Sequence, residues 1–429
     1  MILSKRVYAG LNFLLLSALL SSAQEISIRP DRETGIYNAG EKATLNVKVS
    51  GDAAALTPPA YVLKSGGLKT VREGTLEFRD GRASVEVASD APGWMLLEVK
   101  ATGAGNKEIR ATGAALFSPG QIKPSAEQPA DFDSFWKTKI RELAKVPVKP
   151  ELTPGEAGKP NVDYFTITMS NIQGSRIYGQ LAKPSGPGKY PALLIVQWAG
   201  VYPLQKAWAV DKAAEGWLVL NIMAHDLPAF EPESFYKEQS EGRLKNYPAI
   251  GNDDRETSYF LRMYLSCYRA ADYLTSRKDW NGKTLVVTGG SQGGLQTLMI
   301  AGLHPKITAA LACVPAGCDN TGPDAGRAPG WPMWPNQTQG KDAAKVKEAS
   351  HYFDIVNFAS RIKCPVLIGA GGIDTVCPPP GVYAGYNEIK GAKEIVYMPL
   401  ADHSGKHDAY YERFNAWLKT QRTGNGNLH

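Results

Sequence analysis

The sequence predicts an α/β fold with a doubly wound, mostly parallel sheet, preceded by a small β-sandwich of immunoglobulin-like type. Two observations support this fold class. Residues 25–117 contain short runs in which apolar and polar residues alternate, whereas continuous apolar strands separated by helical stretches follow from Tyr190. Alternation is typical of strands with one buried face, and continuous apolar strands are typical of a parallel sheet covered on both faces. We expect domains at 24–118 and 119–429, after an N-terminal segment at 1–23.

The composition is that of a soluble globular protein. The 429 residues are 43% hydrophobic and 21% charged, which allows large cores. The 48 Lys and Arg residues exceed the 42 Asp and Glu residues by 6, and this excess is spread along the chain without a basic stripe. Because phosphate binding needs clustered cations, we expect no nucleic-acid partner.

The first 23 residues have the pattern of a secretory signal peptide. Lys5 and Arg6 precede an apolar run, Leu11 to Leu20, which ends in the small residues Ser21-Ser22-Ala23. Such a run is too short for a permanent membrane span, which needs about 20 apolar residues. We therefore expect cleavage after Ala23, no membrane span, and export to the periplasm or the cell exterior.

The segment 24–118 carries the alternating pattern at 43–49 and again at 85–87, and turns at Asp80-Gly81 and Pro92-Gly93 separate the runs. It contains neither His nor Cys, so we interpret it as a packing or spacer module, with a sugar-binding module as the alternative.

A Pro-containing connector at 118–129 and an amphipathic helix from Phe132 lead into the second domain. Its predicted strands are Leu193–Trp198, Trp217–Ile222, Leu285–Thr288, Ala309–Val314, Val366–Ile368 and Ile395–Met398, and its main predicted helices are Ser258–Ser276, Gly293–Leu303 and Gly381–Ile389.

All five cysteines lie in the second half of the chain. Their odd number excludes the disulfide framework of a small secreted domain, and none belongs to a zinc-type C-x-x-C pair. We expect most of them in the core and no metal site. Whether Cys313 and Cys318 pair is left open by the sequence.

The segment 285–294 predicts a catalytic nucleophile. It reads Leu-Val-Val-Thr-Gly-Gly-Ser-Gln-Gly-Gly, so an apolar strand passes through a Gly-x-Ser-x-Gly turn into an apolar-faced helix. This is the pattern of a nucleophile elbow, whose strained turn exposes the serine hydroxyl beside a helix N-terminus. We predict that Ser291 is the nucleophile, and a Gly-rich structural turn is the alternative.

A serine nucleophile needs a base, and the base needs an orienting acid. In α/β-hydrolases the acid and then the histidine follow the serine along the chain. Asp374 and His403 each follow a late apolar strand, so we predict them as acid and base. Asp402 is a competing acid, and we expect His407 to bind substrate or to cap the C-terminal helix.

Two donors are expected to hold the oxyanion. One is the backbone N–H of Gln292, the residue after the nucleophile. The other is expected from the loop after the strand at 193–198, either as a backbone N–H near Val201 or as the Tyr202 hydroxyl.

At these residues the chain resembles the acetyl xylan esterase / cephalosporin-C deacetylase family of carbohydrate esterases, from about Ala130 to the C-terminus. The resemblance implies an α/β-hydrolase fold, a triad of Ser291, Asp374 and His403, removal of acetyl groups from small acetylated sugars, and no cofactor. It rests on Asp131-Phe132-Asp133-Ser134-Phe135-Trp136, Val196-Gln197, Gly289-Gly290-Ser291-Gln292-Gly293-Gly294, Val314-Pro315 and Asp374-Thr375-Val376-Cys377-Pro378-Pro379.

The chain departs from the family pattern at four points. The segment 223–227 reads Met-Ala-His-Asp-Leu where the family usually has an Arg-Gly-Gln motif. The tyrosine that directly follows the oxyanion-loop glycine in the family is Val201 here, with Tyr202 one place later. Ser404 follows His403 where the family normally has Glu, and compact members lack the leading β-sandwich.

The substrate expected from the resemblance is acetylated xylan, a xylo-oligosaccharide or a related acetylated glycan. The sequence is compatible with a monomer and with a homo-oligomer. At the mouth of the site we expect Trp198, Tyr202, Trp331 and Trp334 to stack on a sugar ring, or else only to pack a lid.

Three alternatives to the acetyl esterase remain. Feruloyl esters and methyl-esterified uronic acids demand the same triad. Serine peptidases of the prolyl-oligopeptidase type carry a similar elbow, but they usually have a large β-propeller in front, for which residues 24–118 are too few. A non-catalytic glycan-binding module is disfavoured by the complete triad.

Overall fold

The computed structural model describes residues 24–51 and 56–423. The predicted signal peptide at 1–23 lies outside the described residues. The N-terminal region holds eight strands: β1 (Glu25–Pro30), β2 (Ile36–Tyr37), β3 (Lys42–Ser50), β4 (Ala60–Ser65), β5 (Lys69–Thr75), β6 (Arg82–Ala88), β7 (Gly93–Thr102) and β8 (Glu108–Phe117).

These strands form two sheets, one of three strands in the order β1-β3-β6 and one of five strands in the order β2-β8-β7-β4-β5. Alternate side chains of β3 are buried, as the sequence pattern predicts. They share one hydrophobic cluster with side chains of the other sheet, for example Leu45 and Val47 with Leu97 and Phe117. The two sheets therefore pack face to face around a common core.

The larger region is built on a sheet of nine strands: β9 (Glu151–Gly155), β10 (Val162–Ser170), β11 (Arg176–Pro184), β12 (Tyr190–Ile195), β13 (Leu218–Ile222), β14 (Trp280–Gly290), β15 (Ala309–Cys313), β16 (Val366–Gly371) and β17 (Lys393–Met398). Its strand order is β17-β16-β15-β14-β12-β13-β11-β10-β9. Strands β12 to β17 pair in parallel, while β9, β10 and β11 are antiparallel to their neighbours.

The helices of this region are α1 (Phe132–Ala144), α2 (Ala207–Ala214), α3 (Glu233–Glu241), α4 (Tyr259–Ser276), α5 (Gln292–Leu303), α6 (Ala343–Ser350), α7 (Ile355–Ala359), α8 (Pro379–Glu388) and α9 (Asp408–Thr423). Helices cover both faces of the sheet. Leu194 and Val287 lie in a hydrophobic cluster with α4 and α5, whereas their chain neighbours Leu193 and Val286 lie in a second cluster with α2 and α9. Burial on both faces explains why the parallel strands read as continuous apolar runs.

The sequence pattern missed the antiparallel end of the sheet. Strand β9 is almost entirely exposed and β10 is only partly buried. Neither therefore has the continuous apolar run that marks the central strands. Within the described parts of the chain, no helix is both long and apolar enough to cross a membrane.

Candidate active site

Ser291 lies in the sharp turn between β14 and α5. Its backbone has φ 54° and ψ −119°, a strained conformation for a residue with a side chain. The turn is tight because neighbouring backbone crowds it: a Cβ atom on Gly289 would lie 2.6 Å from the carbonyl carbon of Gly293. The strand, the turn and the helix match the nucleophile elbow that the sequence predicts.

His403 connects Ser291 to Asp374 through hydrogen bonds. Its Nε2 lies 2.9 Å from Ser291 Oγ, and its Nδ1 lies 2.9 Å from Asp374 Oδ2. Because a carboxylate only accepts hydrogen bonds, Nδ1 carries the proton and Nε2 is free to accept the serine proton. The structure thus brings together the three residues that the sequence selects, which are 83 and 29 positions apart along the chain.

Asp374 is fully buried in the loop after β16. Its Oδ1 accepts the backbone N–H groups of Val376 and Cys377, each at 2.8 Å, so both carboxylate oxygens are engaged. The competing acid Asp402 instead accepts the N–H groups of Ser404 and Gly405 within its own loop. Asp402 therefore shapes the loop that carries His403, called the histidine loop below, and does not orient the imidazole of His403.

On the other side of Ser291 lie Gln292 and the loop after β12, where the sequence predicts the oxyanion donors. Gln292 is the first residue of α5, so its backbone N–H has no acceptor within the helix and is available to a ligand. Its side chain is buried, with Nε2 3.3 Å from the Gln197 carbonyl and Oε1 accepting from the hydroxyl of Tyr247. These bonds join the start of α5 to the loop that follows β12.

The sequence predicts two possible second donors in that loop, the Tyr202 hydroxyl and a backbone N–H near Val201, and the first of them is already occupied. The Tyr202 hydroxyl donates to the Trp198 carbonyl at 3.0 Å, so it serves the loop itself. The Tyr202 hydroxyl is thus already bonded within its own loop, and the backbone N–H near Val201 remains the other predicted donor. Gly200, at φ 127°, makes the bend that precedes Val201.

Comparison with known proteins places this site in a family. The family model for acetyl xylan esterase (AXE1) matches residues 120–327 and 331–421. The acetyl esterase Axe7A of Xylanibacter ruminicola is 33% identical over 400 residues, which span 91% of this chain and 89% of that protein. The chain belongs to the acetyl xylan esterase family. As a member, it is a carboxylic-ester hydrolase of the carbohydrate-esterase class.

Solved structures of this family share the fold. The acetyl xylan esterase from Paenibacillus sp. R4 has a TM-score of 0.62 and 24% identity, covering 70% of this chain and 98% of that chain. Acetyl xylan esterase 1 from Thermoanaerobacterium sp. JW/SL YS485 has a TM-score of 0.61 and 22% identity, covering 70% and 97%. The α/β-hydrolase fold is thereby confirmed for the larger region, and the family match begins after the two N-terminal sheets.

The main residue that sequence reasoning missed is His225, which stands where the acetyl xylan esterase family usually carries its Arg-Gly-Gln motif. Its Nε2 lies 2.9 Å from the Gly200 carbonyl, and its Nδ1 lies 2.7 Å from the Tyr259 hydroxyl. The carbonyl can only accept, so Nε2 carries the proton and Nδ1 accepts from Tyr259. Burial lowers the pKa of His225 to about 4, which keeps the ring neutral. The signals in the sequence were its place just after β13 and the departure of the segment 223–227 from the family motif.

Three of the predicted binding side chains reach the surroundings of the site. Trp198 is 46% exposed and stacks on Tyr202 with ring centroids 5.0 Å apart. Trp331 is half-buried, and its backbone N–H donates to the Val376 carbonyl beside Asp374. His407 is half-buried in the histidine loop, where Nε2 donates to the Asp402 carbonyl at 2.9 Å.

Trp334 corrects the prediction of an aromatic at the mouth. It is only 1% exposed, and its indole N–H donates to the Pro248 carbonyl at 2.8 Å. Its ring packs on Phe260, 4.9 Å between centroids, in the core of the larger region. A sugar ring cannot reach it, because the side chain is buried among the side chains of the core.

The five cysteines are free and buried, so Cys313 and Cys318 do not pair. Cys377 lies beside the triad, and its thiol is within 4.8 Å of ligand atoms of Asp374 and His403. Burial raises the pKa of this thiol well above its ordinary value, so it is protonated. Asp374 and His403 bond to each other, and a protonated thiol is a poor metal ligand, so the arrangement does not favour a metal site.

Proposed function

We propose that this protein is an exported serine esterase that removes acetyl groups from acetylated xylan, xylo-oligosaccharides or related glycans. The observation that carries the proposal is the hydrogen-bond chain from Ser291 through His403 to the buried Asp374. Membership of the acetyl xylan esterase family supports the choice of an acetylated carbohydrate as substrate.

The first half of the reaction forms an acyl-enzyme. His403 Nε2 takes the Ser291 proton while Oγ bonds to the ester carbonyl carbon, and the carbonyl electron pair moves onto oxygen. The N–H groups of Gln292 and Val201 hold this oxyanion, and the α5 N-terminus adds its partial positive charge. The ester C–O bond then breaks as the sugar alcohol takes the proton from Nε2.

Hydrolysis of the acyl-enzyme regenerates the protein. A water molecule gives a proton to His403 Nε2 while its oxygen bonds to the acyl carbon, so the same oxyanion forms again. The bond to Ser291 Oγ breaks, Oγ recovers the proton from Nε2, and acetic acid leaves and ionises to acetate in solution. Asp374 stabilises the imidazolium that exists during both halves, and none of these steps requires a cofactor.

The finer organisation is part of the proposal. We infer cleavage of a signal peptide after Ala23, an immunoglobulin-like β-sandwich over 24–118 and the esterase domain over 119–429. The face-to-face packing of the two N-terminal sheets supports the second of these. Exposed Trp198 and half-buried Trp331 are proposed to contact the sugar, because aromatic rings bury carbohydrate C–H surface without desolvating its hydroxyls.

The test is acid release by the mature chain from acetylated xylo-oligosaccharides, a feruloyl ester, methyl-esterified pectin and a prolyl peptide. We expect acetate from the oligosaccharides and little turnover of the other three. Ser291→Ala should abolish release, lowering kcat by about 10⁶-fold. Ser240→Ala is the matched control, because the hydroxyl of this half-buried serine bonds to the carbonyl of Lys237 in its own helix.

Two outcomes would overturn parts of the proposal. Turnover of another ester, lost in Ser291→Ala, would retain the nucleophile and discard the acetylated substrate. Acetate release that survives in Ser291→Ala would discard the nucleophile itself.

A further inference from the structure

Trp94 of β7 connects the N-terminal sheets to the loop that carries Asp374. Its side chain is 1% exposed, and its indole N–H donates to the carbonyl of Gly372 at 2.9 Å. Gly372 precedes Asp374 by two residues, although it lies 278 positions from Trp94 in the chain. A side chain of the first region therefore holds the backbone next to the acid of the second.

The opposite side of the same loop is held by the chain that leads to His403. The Gly372 N–H donates to the Met398 carbonyl at 2.8 Å, and the Ile373 N–H donates to the Ala401 carbonyl at 3.1 Å. A Cβ atom on Gly372 would lie 2.5 Å from the Pro399 carbonyl oxygen, so the two loops touch backbone to backbone. The loop that carries Asp374, called the acid loop below, thus lies between Trp94 and the histidine loop.

Apolar packing surrounds the Trp94 bond. Trp94, Leu96 and Leu116 form one buried cluster with Tyr383 and Ala384 of α8, the helix that begins just after the acid loop. Because these side chains are buried, a Gly372 carbonyl without its donor would be left unsatisfied.

A second contact reaches the acid loop indirectly. The turn between β4 and β5 accepts a hydrogen bond at the Gly66 carbonyl from the Ala328 N–H, 2.8 Å away. Three residues later, the Trp331 N–H donates to the Val376 carbonyl of the acid loop at 2.7 Å. The N-terminal sheets therefore support the acid loop directly through Trp94 and also through the segment 328–331.

We propose that Trp94 is a positioning residue for the esterase reaction and that the N-terminal sheets are a scaffold for the acid loop. This inference rests on the proposed function, because it requires Asp374 to orient His403. The Asp374–His403 bond depends on where the loop backbone sits, and misplacement of a reacting group by about 1 Å can cost about 10²-fold in rate. Buried inside this interface, the Trp94 ring has no surface for a sugar.

The experiment uses the full mature chain and an activated aryl acetate, whose hydrolysis needs the triad but no glycan contact. Trp94→Phe removes the N–H donor and keeps an aromatic ring. Trp136→Phe is the matched control, because Trp136 is equally buried and its N–H also donates to a backbone carbonyl, that of Tyr352 at 3.0 Å, away from the acid loop. Both changes are made in the wild-type chain and in Asp374→Asn.

We expect Trp94→Phe to lower kcat about 5- to 10-fold with KM changed by less than about twofold, whereas Trp136→Phe changes kcat by less than about twofold. In the Asp374→Asn background the effect of Trp94→Phe should shrink below about twofold, because there the acid that Trp94 positions is already lost. Should Trp94→Phe fold poorly, incorporation of benzothienylalanine at position 94, which replaces only the N–H by sulfur, tests the same donor.

An equal loss of kcat from Trp94→Phe in both backgrounds, or a loss no larger than that from Trp136→Phe, would overturn the inference. If instead Asp374→Asn alone left kcat unchanged, the triad mechanism under the proposed function would fail.

Discussion

The two sides of Ser291 each contain a histidine whose ring bridges two hydrogen-bond partners. On the base side His403 bonds to the Asp374 carboxylate and to Ser291 Oγ. On the oxyanion side His225 bonds to the Gly200 carbonyl and to the Tyr259 hydroxyl. The same side chain therefore appears twice at one site, in two different surroundings.

The partners decide what each ring can do. The side chain of His403 is 20% exposed, and its Nδ1 lies 2.9 Å from the buried carboxylate of Asp374. His225 is buried against a carbonyl, a hydroxyl and the ring of Tyr247, and its pKa is lowered to about 4. His403 has the partners expected of the proposed base, whereas His225 is a neutral brace for the loop that contains Gly200.

The largest expected effect is the loss of activity when the hydrogen bond between Asp374 and His403 is removed. Asp374→Asn should lower kcat for an aryl acetate about 10⁴-fold, because an amide in place of the carboxylate no longer holds the Nδ1–H tautomer or stabilises the imidazolium. The measurement is kcat at neutral pH, with the melting temperature as a check on folding.

Asp402→Asn is the matched control for that change. Asp402 precedes His403 directly, but its carboxylate accepts the N–H groups of Ser404 and Gly405 in its own loop. We expect its kcat to stay within about tenfold of the wild type. A loss in Asp402→Asn as large as in Asp374→Asn would contradict the assignment of the acid.

The second effect tests the neutral state of His225 through stability. Its pKa is 6.5 in the unfolded chain and about 4 in the folded protein, so between these values the unfolded state binds more protons. Its contribution to stability is therefore complete above pH 6.5 and is lost as the pH falls through 4. We expect this single group to lower the free energy of unfolding by about 3 kcal/mol across that window.

His225→Gln provides the comparison, because the amide can still donate to the Gly200 carbonyl but does not titrate in this range. Denaturant unfolding at a series of pH values from 7 to 4 should show a shallower decline for the variant than for the wild type. Identical declines would mean that the pKa of His225 is the same in the folded and the unfolded chain, so that burial does not hold the ring neutral.

The smallest expected effect is on kcat and concerns the two segments that contain Gly200 and Gln292. The Tyr247 hydroxyl accepts the Gly200 N–H at 3.4 Å and donates to the Gln292 side chain, joining the two segments that supply the oxyanion donors. Tyr247→Phe should lower kcat about tenfold with little change in KM, less than the roughly 10²–10³ lost with an oxyanion donor itself.

Tyr236→Phe controls for the loss of a buried hydroxyl. The Tyr236 hydroxyl also accepts a backbone N–H, from Glu231 at 3.0 Å, and donates to the Pro228 carbonyl at 2.7 Å, but neither partner carries an oxyanion donor. Its kcat should stay within about twofold of the wild type. If both tyrosine variants lost activity equally, the Tyr247 bonds would be ordinary core bonds.

Local sequence patterns predicted the central strands and the three residues of the hydrogen-bond chain. Ser291 follows from an apolar strand, a Gly-rich turn and an apolar helix that are contiguous in sequence. Asp374 and His403 follow because loops after neighbouring parallel strands meet at one edge of the sheet. Each of these inferences needs only the local period of hydrophobicity and the order of the elements.

The sequence could not separate side chains that share a local pattern. Trp331 and Trp334 belong to the same Pro-rich segment, yet one is half-buried beside the acid loop and the other is buried in the core. A segment without regular periodicity does not tell which of its side chains face inward, because its path is set by the elements on which it packs.

By itself, the sequence determined the α/β architecture of the larger region, the elbow and the order of acid and base, since these depend on local spacing. Only the tertiary structure decided that His225 braces the oxyanion loop and that Trp94 reaches the acid loop across 278 positions. Contacts of this kind depend on how whole sheets dock against each other. Packing between surfaces that are distant in the sequence produces no periodic pattern of residues, because a single indole or imidazole side chain can make the contact once the surfaces meet.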